Sequence, residues 1–473
     1  MTPTLLQLLA LQCAMLLAIH LLFFRRIDVP FSLKIILLVV YVTVPLALLV
    51  KGIQSAVYVS DLLLPVLLFS ALVSPQGLPP SRRWLVTSLF LLIVILPVVL
   101  ALCQVVLGDL RGGLGSRNVK GDIIWLYRNL TYVLVLRYGL SLNLTASQIL
   151  AFIRMNIALA GVLALLGFAN YFGPFNLAIF EDLAWKEWVQ ESFRENRVGL
   201  GFMGLFRASV GQWFAMIALL SAGTYAVMPR RYRLLSALVM GASIGMILLS
   251  HSRAGLVGLG MGFVLLSLLA NGWVPKAMAV LGVCGTFVWI LLRQDVLANR
   301  AVSIFSGTQN AFDRVRAWEK AYDFFSQHAN ALLFGVGPAN RETVFKVIGE
   351  YGAHNEYIDV LFRLGFFGLV GLIAILVVLL ATLMAARNRF GPEGHAVLTT
   401  TAVLVIANCV MGMTQEHLLH DYASYTMGVY IYLLYGVILG IESPSEMEES
   451  MSEANQELEW GSHAGYVAVS TQR

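Results

Sequence analysis

The side chain best suited to proton chemistry is His354, in the run Ala353-His354-Asn355-Glu356-Tyr357 just ahead of a long apolar stretch. An imidazole exchanges a proton near neutral pH, the property a general base needs. Asn355 is a helix N-capping residue type, so the next helix starts here and His354 stands at its mouth. A loop histidine is also often structural or merely exposed, and the residue type alone leaves that open.

The second chemical signal is arginine. Arg111, Arg117, Arg194, Arg197, Arg207, Arg253, Arg293, Arg300, Arg314, Arg316 and Arg341 all lie in loops or at span ends. A guanidinium pairs bidentately with phosphate oxygens and keeps its charge at any relevant pH, so an anionic ligand is one reading. Long loops that escape the usual charge rule are the other. A third polar group, Gln415, Glu416, His417, His420 and Asp421, lies between the last two apolar runs, as an acceptor site or an ordinary wet turn. No His/Cys or carboxylate cluster has metal-ligand spacing, so metal independence is expected, with no cofactor. Cys13, Cys103, Cys284 and Cys409 all fall inside apolar stretches and read as small core residues.

The elements that must position these groups are membrane spans. The chain of 473 residues is 58% hydrophobic and 12% charged, with a mean hydropathy of +0.77. A soluble core cannot use that much apolar surface, and soluble domains carry roughly 25% charged residues. Apolar runs long enough to cross a bilayer fall near 5–24, 34–50, 56–73, 84–107, 124–140, 148–168, 209–228, 234–250, 254–271, 276–292, 361–384, 396–414 and 422–440. The expected fold is an all-α polytopic bundle of about 12–13 transmembrane helices with a long extracytoplasmic loop, 293–360, carrying short helices. Arg128 and Arg137 interrupt 124–140, which could instead lie partly in the interface. The run Leu5 to Phe24 lacks a basic leader and a cleavage site, and reads as a retained span.

Arg25/Arg26/Lys34, Arg82/Arg83, Arg230/Arg231/Arg233 and Arg387/Arg389 occupy alternate loops, which places those loops in the cytoplasm. The opposite face then receives 108–123, 169–208, 251–253, 293–360 and Gln415 to Asp421. Residues 1–441 form the membrane domain, and the Glu- and Ser-rich segment 442–473 is expected to be a disordered cytoplasmic tail. Within 293–360, Ala311 to Phe325 reads as an amphipathic helix with Phe312, Val315, Trp318, Tyr322 and Phe325 on one face, as an interfacial anchor would have. Gly241/Gly245 and Gly258/Gly262 are spacings that let helices approach closely. The net charge of +5 is spread over loops rather than gathered in one block, so nucleic-acid binding has no support.

An ordered set of motifs resembles the O-antigen ligase and O-antigen polymerase superfamily of bacterial envelope glycan transferases. It comprises Ser252-Arg253-Ala254-Gly255-Leu256, the step from Arg314 to Trp318, Leu333-Phe334-Gly335-Val336-Gly337, and His354-Asn355-Glu356-Tyr357 followed by Leu364-Gly365-Phe366-Phe367-Gly368. The set covers about 253–371. Arg197-Val198-Gly199 is similar to the family to a lesser degree, and the first 190 residues match only in being hydrophobic.

The resemblance implies transfer of a glycan from an undecaprenyl-diphosphate carrier to a glycan or glycolipid hydroxyl, at the periplasmic face of a bacterial inner membrane. It implies His354 as the residue that activates the acceptor, and Arg253 and Arg314 as arginines that hold the diphosphate. Arg316 joins them from its place on the same helix, and Arg197 and Asn355 complete the expected substrate-binding set. Polymerase is preferred only slightly over ligase, because the two differ in acceptor rather than in motif. A transporter or flippase for lipid-linked or anionic substrates is the alternative from another class; it expects ionisable groups at mid-membrane, where Asp61 and Arg154 are the candidates. A structural membrane component without chemistry is the third reading.

Overall fold

A computed structural model describes residues 24–41, 78–100 apart from Pro79, 119–172, 207–270 apart from His251, 308–337, 341–349, 354–413, Leu419 and 425–441, with isolated positions between 14 and 20, 63 and 67, and 272 and 280. The described elements are helical, with no strand among them. They are α1 (Phe31–Tyr41), α2 (Pro80–Phe90, continued by a π-helical turn Leu91–Ile95), α3 (Val119–Ser141), α4 (Ala146–Phe172), α5 (Arg207–Thr224), α6 (Arg230–Ser250), α7 (Arg253–Leu269), α8 (Thr308–Gln327), α9 (Ala329–Phe334), α10 (Arg341–Ile348), α11 (Glu356–Ala386), α12 (Pro392–Gly412) and α13 (Tyr425–Leu439).

Among the described residues, six helices are long and apolar enough to cross a membrane: Arg82–Leu100, Ala146–Ala169, Ser209–Val227, Arg230–Ser250, Glu356–Arg389 and Pro392–Gly412. The apolar helices α1, α7 and α13 are shorter. The chain is therefore an all-α, multi-pass membrane protein. The expected spans at 5–24, 56–73 and 276–292 fall almost wholly outside the described residues, as does the tail 442–473.

The bundle is organised around α5, whose residues from Ser209 to Thr224 are buried. It packs against α4, α6, α7 and α12. Close approach needs small residues: Gly211 leaves room for Ser252, Gly255 faces the Gly211 backbone, Gly258 faces Met411 and Gly262 faces Leu219. The packing role expected of Gly258 and Gly262 is thus met. Gly245 packs on Phe168, but Gly241 faces open space, so the spacing there does not mark a helix contact.

Helix α3 pairs with α13, where Gly139 and Gly436 bring the two backbones together. Its Arg128 is only 2% exposed, and Trp125, Asn129, Thr131, Tyr132 and Val135 are buried with it. One face of the segment is thus packed inside the bundle. Its polar residues make poor lipid contacts but are tolerated inside, where Asn129 donates to Trp125 O at 2.9 Å and Thr131 to Tyr127 O at 3.1 Å.

At one end of the bundle, basic side chains close off helix ends. Arg82 Nη1 donates to Leu140 O at 3.3 Å and Asn143 Oδ1 at 2.6 Å, and Nη2 to Ile441 O at 2.9 Å, joining the ends of α3 and α13 to the start of α2. Arg233 donates to Met228 O at 3.1 Å and Ala226 O at 2.9 Å beyond α5. Helix C-terminal carbonyls lack intrahelical donors and carry partial negative charge, so cations are favoured there. Arg154 lies toward this same basic end, with its guanidinium 5.0 Å from the Tyr232 ring at the start of α6.

At the opposite end, α8, α9 and α10 form a satellite layer with its own core: Ala317, Ala321, Phe324, Phe325, Ala331, Val336, Val344, Ile348 and Phe362. Of the residues expected on one face of α8, Phe325 belongs to this core and Trp318 packs partly against it. Val315 is 45% exposed and Tyr322 75%, whereas the alanines at 317 and 321 and Phe324 turn inward. The small alanines widen the inward face because they allow a close approach.

The layer is fixed to α11 at a break in that helix. Gly365 has φ 70° and ψ −170° inside the helix, and Gly335 has φ 75°. The two face each other: a Cβ on Gly335 would lie 2.5 Å from Arg363 O, and one on Gly365 would strike the Leu333 carbonyl. Val336 N donates to Phe362 O at 2.6 Å across the contact. Glycine is required twice over, by φ and by space.

Gly365→Ala is therefore expected to lower stability by about 2–4 kcal/mol through combined strain and overpacking. Gly241→Ala, in open space within a helix, should instead raise it by about 0.5–1 kcal/mol. Unfolding midpoints of the two variants in the same detergent check the contrast.

Candidate active site

The site is built on helix starts. Ser252 caps α7, with its side chain accepting Gly255 N at 3.1 Å, and it is buried against Gly211 of α5. Arg253 is the first residue of α7 and is exposed. A cation at a helix N-terminus opposes the helix dipole at a cost of about 0.3–1 kcal/mol. The same position favours an anion, because the helix end and the guanidinium attract negative charge together.

Asn355 caps α11 as expected, with Oδ1 accepting Tyr357 N at 3.0 Å and Ile358 N at 3.2 Å. His354 just before it is half-buried and has φ 45°, a left-handed conformation that a non-glycine residue adopts at a cost. Tyr357 Oη donates to Cys409 O at 2.8 Å.

These contacts set the relation between Arg253 and His354. Gly258, five residues into α7 from Arg253, faces Met411; Tyr357, three residues past His354, bonds the Cys409 carbonyl. Cys409 and Met411 belong to the last turn of α12. The starts of α7 and α11 therefore flank one helix end, at the end of the bundle opposite Arg82 and Arg233. Arg314 and Arg316 stand on α8, half-buried and exposed respectively. That helix meets α11 through Phe324, stacked on Phe362 with ring centroids 5.6 Å apart, and Phe325, tilted against Phe362 at 4.6 Å. The two arginines lie eight and ten residues back along α8, about 12–15 Å from that contact. Arg253, the α8 arginines and His354 thus have three separate supports at one end of the bundle.

Arg197, Gln415, Glu416, His417, His420 and Asp421 lie outside the described residues. His328 is accounted for structurally: its ring stacks on Phe324 at 4.6 Å, and its Nδ1 hydrogen-bonds Phe324 O at 2.9 Å. Among the described residues no three of His, Cys, Asp and Glu gather as metal ligands would.

The sequence does not show that three charged residues on the first segment of α11 are inside. Glu356, Asp359 and Arg363 are all buried. Asp359 and Arg363 form an ion pair at 2.5 Å, and Glu356 accepts Leu419 N at 2.9 Å. Their i, i+3 and i+7 spacing, running into an apolar helix, was the available signal. Removing one member of such a buried pair costs about 3–5 kcal/mol.

The helices and their packing define a multi-pass membrane protein with a polar site at one end. Residues 237–373, from α6 through the break in α11, match the family model described as O-antigen ligase. The superfamily read from the motifs is therefore the one found, over a stretch that contains Arg253, Arg314, Arg316, His354 and Asn355. In general terms, such a domain belongs to membrane glycan transfer in polysaccharide biosynthesis. No curated relative matches the chain.

Loss of the cap in Asn355→Ala is expected to cost about 1 kcal/mol, with Asn355→Asp close to wild type. Thermal unfolding in detergent measures both.

Proposed function

We propose that this protein transfers a glycan from an undecaprenyl-diphosphate carrier to a sugar hydroxyl at the outer face of a bacterial inner membrane. The observation that carries the reading is the O-antigen ligase match across 237–373, the segment whose helix starts present Arg253 and His354 on either side of one α12 end. The basic end, with Arg82 and Arg233, is then cytoplasmic, and the site end periplasmic.

In this reaction the His354 imidazole takes the proton of the acceptor hydroxyl, and the oxygen attacks the anomeric carbon. The bond from that carbon to the carrier phosphate breaks with inversion, and undecaprenyl diphosphate leaves with the electron pair. Negative charge grows on the leaving diphosphate, where Arg253, Arg314 and Arg316 stabilise it, joined by Arg197. Guanidinium groups meet the electrostatic demand a metal ion would otherwise meet, so the transfer is metal-independent. No nucleotide sugar takes part.

Polymerase and ligase share this chemistry. An O-antigen ligase domain fits a lipid-linked donor with a sugar core on lipid A as acceptor; a second lipid-linked repeat would make the same protein a polymerase. Of the two candidates for the transporter alternative, Arg154 leans toward the basic end over Tyr232, and Asp61 lies outside the described residues.

His354→Ala should reduce transfer from a purified lipid-diphosphate glycan by about 10²–10⁴-fold, the range for loss of a general base. Arg253→Ala should reduce it with only partial recovery in Arg253→Lys, since an ammonium lacks the planar fork. Normal product formation by His354→Ala ends the base role. No transfer by the intact protein with several acceptors favours transport. In cells lacking the protein, loss of long repeats with one repeat still on the lipid core identifies a polymerase; polymer persisting on the carrier with none attached identifies a ligase.

A further inference from the structure

Glu356 is the first residue of α11 and is fully buried, a position where an unpaired carboxylate could not persist. One of its oxygens accepts the backbone N–H of Leu419, 63 residues away in the connection between α12 and α13. The carboxylate also lies within electrostatic reach of Tyr357, Cys409 and Tyr432, so it sits where α11, α12 and α13 meet. The residues on either side are anchored too, Asn355 to the first N–H groups of α11 and Tyr357 to the Cys409 carbonyl. Three consecutive side chains thus hold three different partners, immediately after a histidine kept at φ 45°. A left-handed histidine persists only where its surroundings over-determine it, and these anchors do so.

We infer that Glu356 is a positioning residue: by binding Leu419 N–H it ties the α12–α13 connection to the start of α11 and fixes the turn that aims His354. The inference rests on the glycan-transfer reading for its catalytic consequence, while the tie itself stands apart from it. The bond asks only for an acceptor oxygen at that place. Glutamine supplies one, whereas alanine does not and aspartate holds its oxygens one methylene short. A small displacement of a catalytic group is enough to lower turnover by one or two orders of magnitude without weakening substrate binding.

The test uses the full chain in nanodiscs and two readouts, hydrogen exchange at the Leu419 amide and steady-state transfer. Glu356→Ala should speed exchange at Leu419 at least about tenfold and lower kcat at least about tenfold, with KM within about twofold of wild type. Glu356→Gln should restore both, and Glu356→Asp should behave as alanine does, which keeps the test available should the alanine variant not fold. Unchanged exchange in both Glu356→Ala and Glu356→Asp overturns the tie. Faster exchange with unchanged kcat overturns the positioning role, and so does a glutamine variant as slow as alanine, because the charge itself would then be acting. Wild-type protein that transfers no glycan defeats the enzyme reading, while exchange at Leu419 still judges the anchor.

Discussion

Where Gly335 and Gly365 lie backbone to backbone, the Phe362 carbonyl accepts Val336 N–H, and the layer of short helices is joined to the spans. The rest of the candidate site depends on this junction. It breaks α11 after two and a half turns, so that Glu356 to Leu364 belong to the site end while the remainder of the helix crosses the bundle. It also brings the Phe324, Phe325 and Phe362 rings together, which gives α8 and its arginines a fixed seat. Two family-like motifs separated in sequence thus have a structural meaning as the two halves of one contact.

The second constraint is the cost of leaving polar groups unsatisfied in an apolar surrounding. At the basic end, arginines meet carbonyls at helix ends, with Arg82 reaching α3 and α13 together. At the site end the roles are reversed. Helix N-termini there are capped by Ser252 and Asn355, and a cation, Arg253, stands where the helix end itself favours an anion. The two ends differ in kind: one neutralises its own carbonyls, and the other gathers positive charge that an anionic group would answer.

Much of this was legible in the sequence. The run lengths gave the helical membrane fold, Asn355 gave the start of α11, and the order of the motifs gave the superfamily. Four features were not legible, each for a physical reason. The inward face of α8 is marked by Ala317 and Ala321, whose small size makes them packing residues without making them conspicuous. The burial of Arg128 depends on the helices packed around it, which a run interrupted by arginines does not reveal. Beyond helical spacing, the burial of Glu356, Asp359 and Arg363 has no mark in the sequence; it rests on the Asp359–Arg363 pair and on the long-range contact of Glu356 with Leu419. The left-handed turn at His354 has no sequence marker either, since glycine is absent from that position.

The starts of α7 and α11 flank the last turn of α12, and the proposed reaction requires Arg253 and His354 to face one volume there. The direct measurement is the distance between spin labels placed at positions 253 and 354 in a cysteine-free background in nanodiscs. Two helices flanking a third are separated by at most two interaxial spacings, so a narrow distribution centred within about 25 Å is expected once label tethers are included. A broad distribution, or a centre beyond about 35 Å, would contradict it, because no single diphosphate-linked sugar could then meet both side chains.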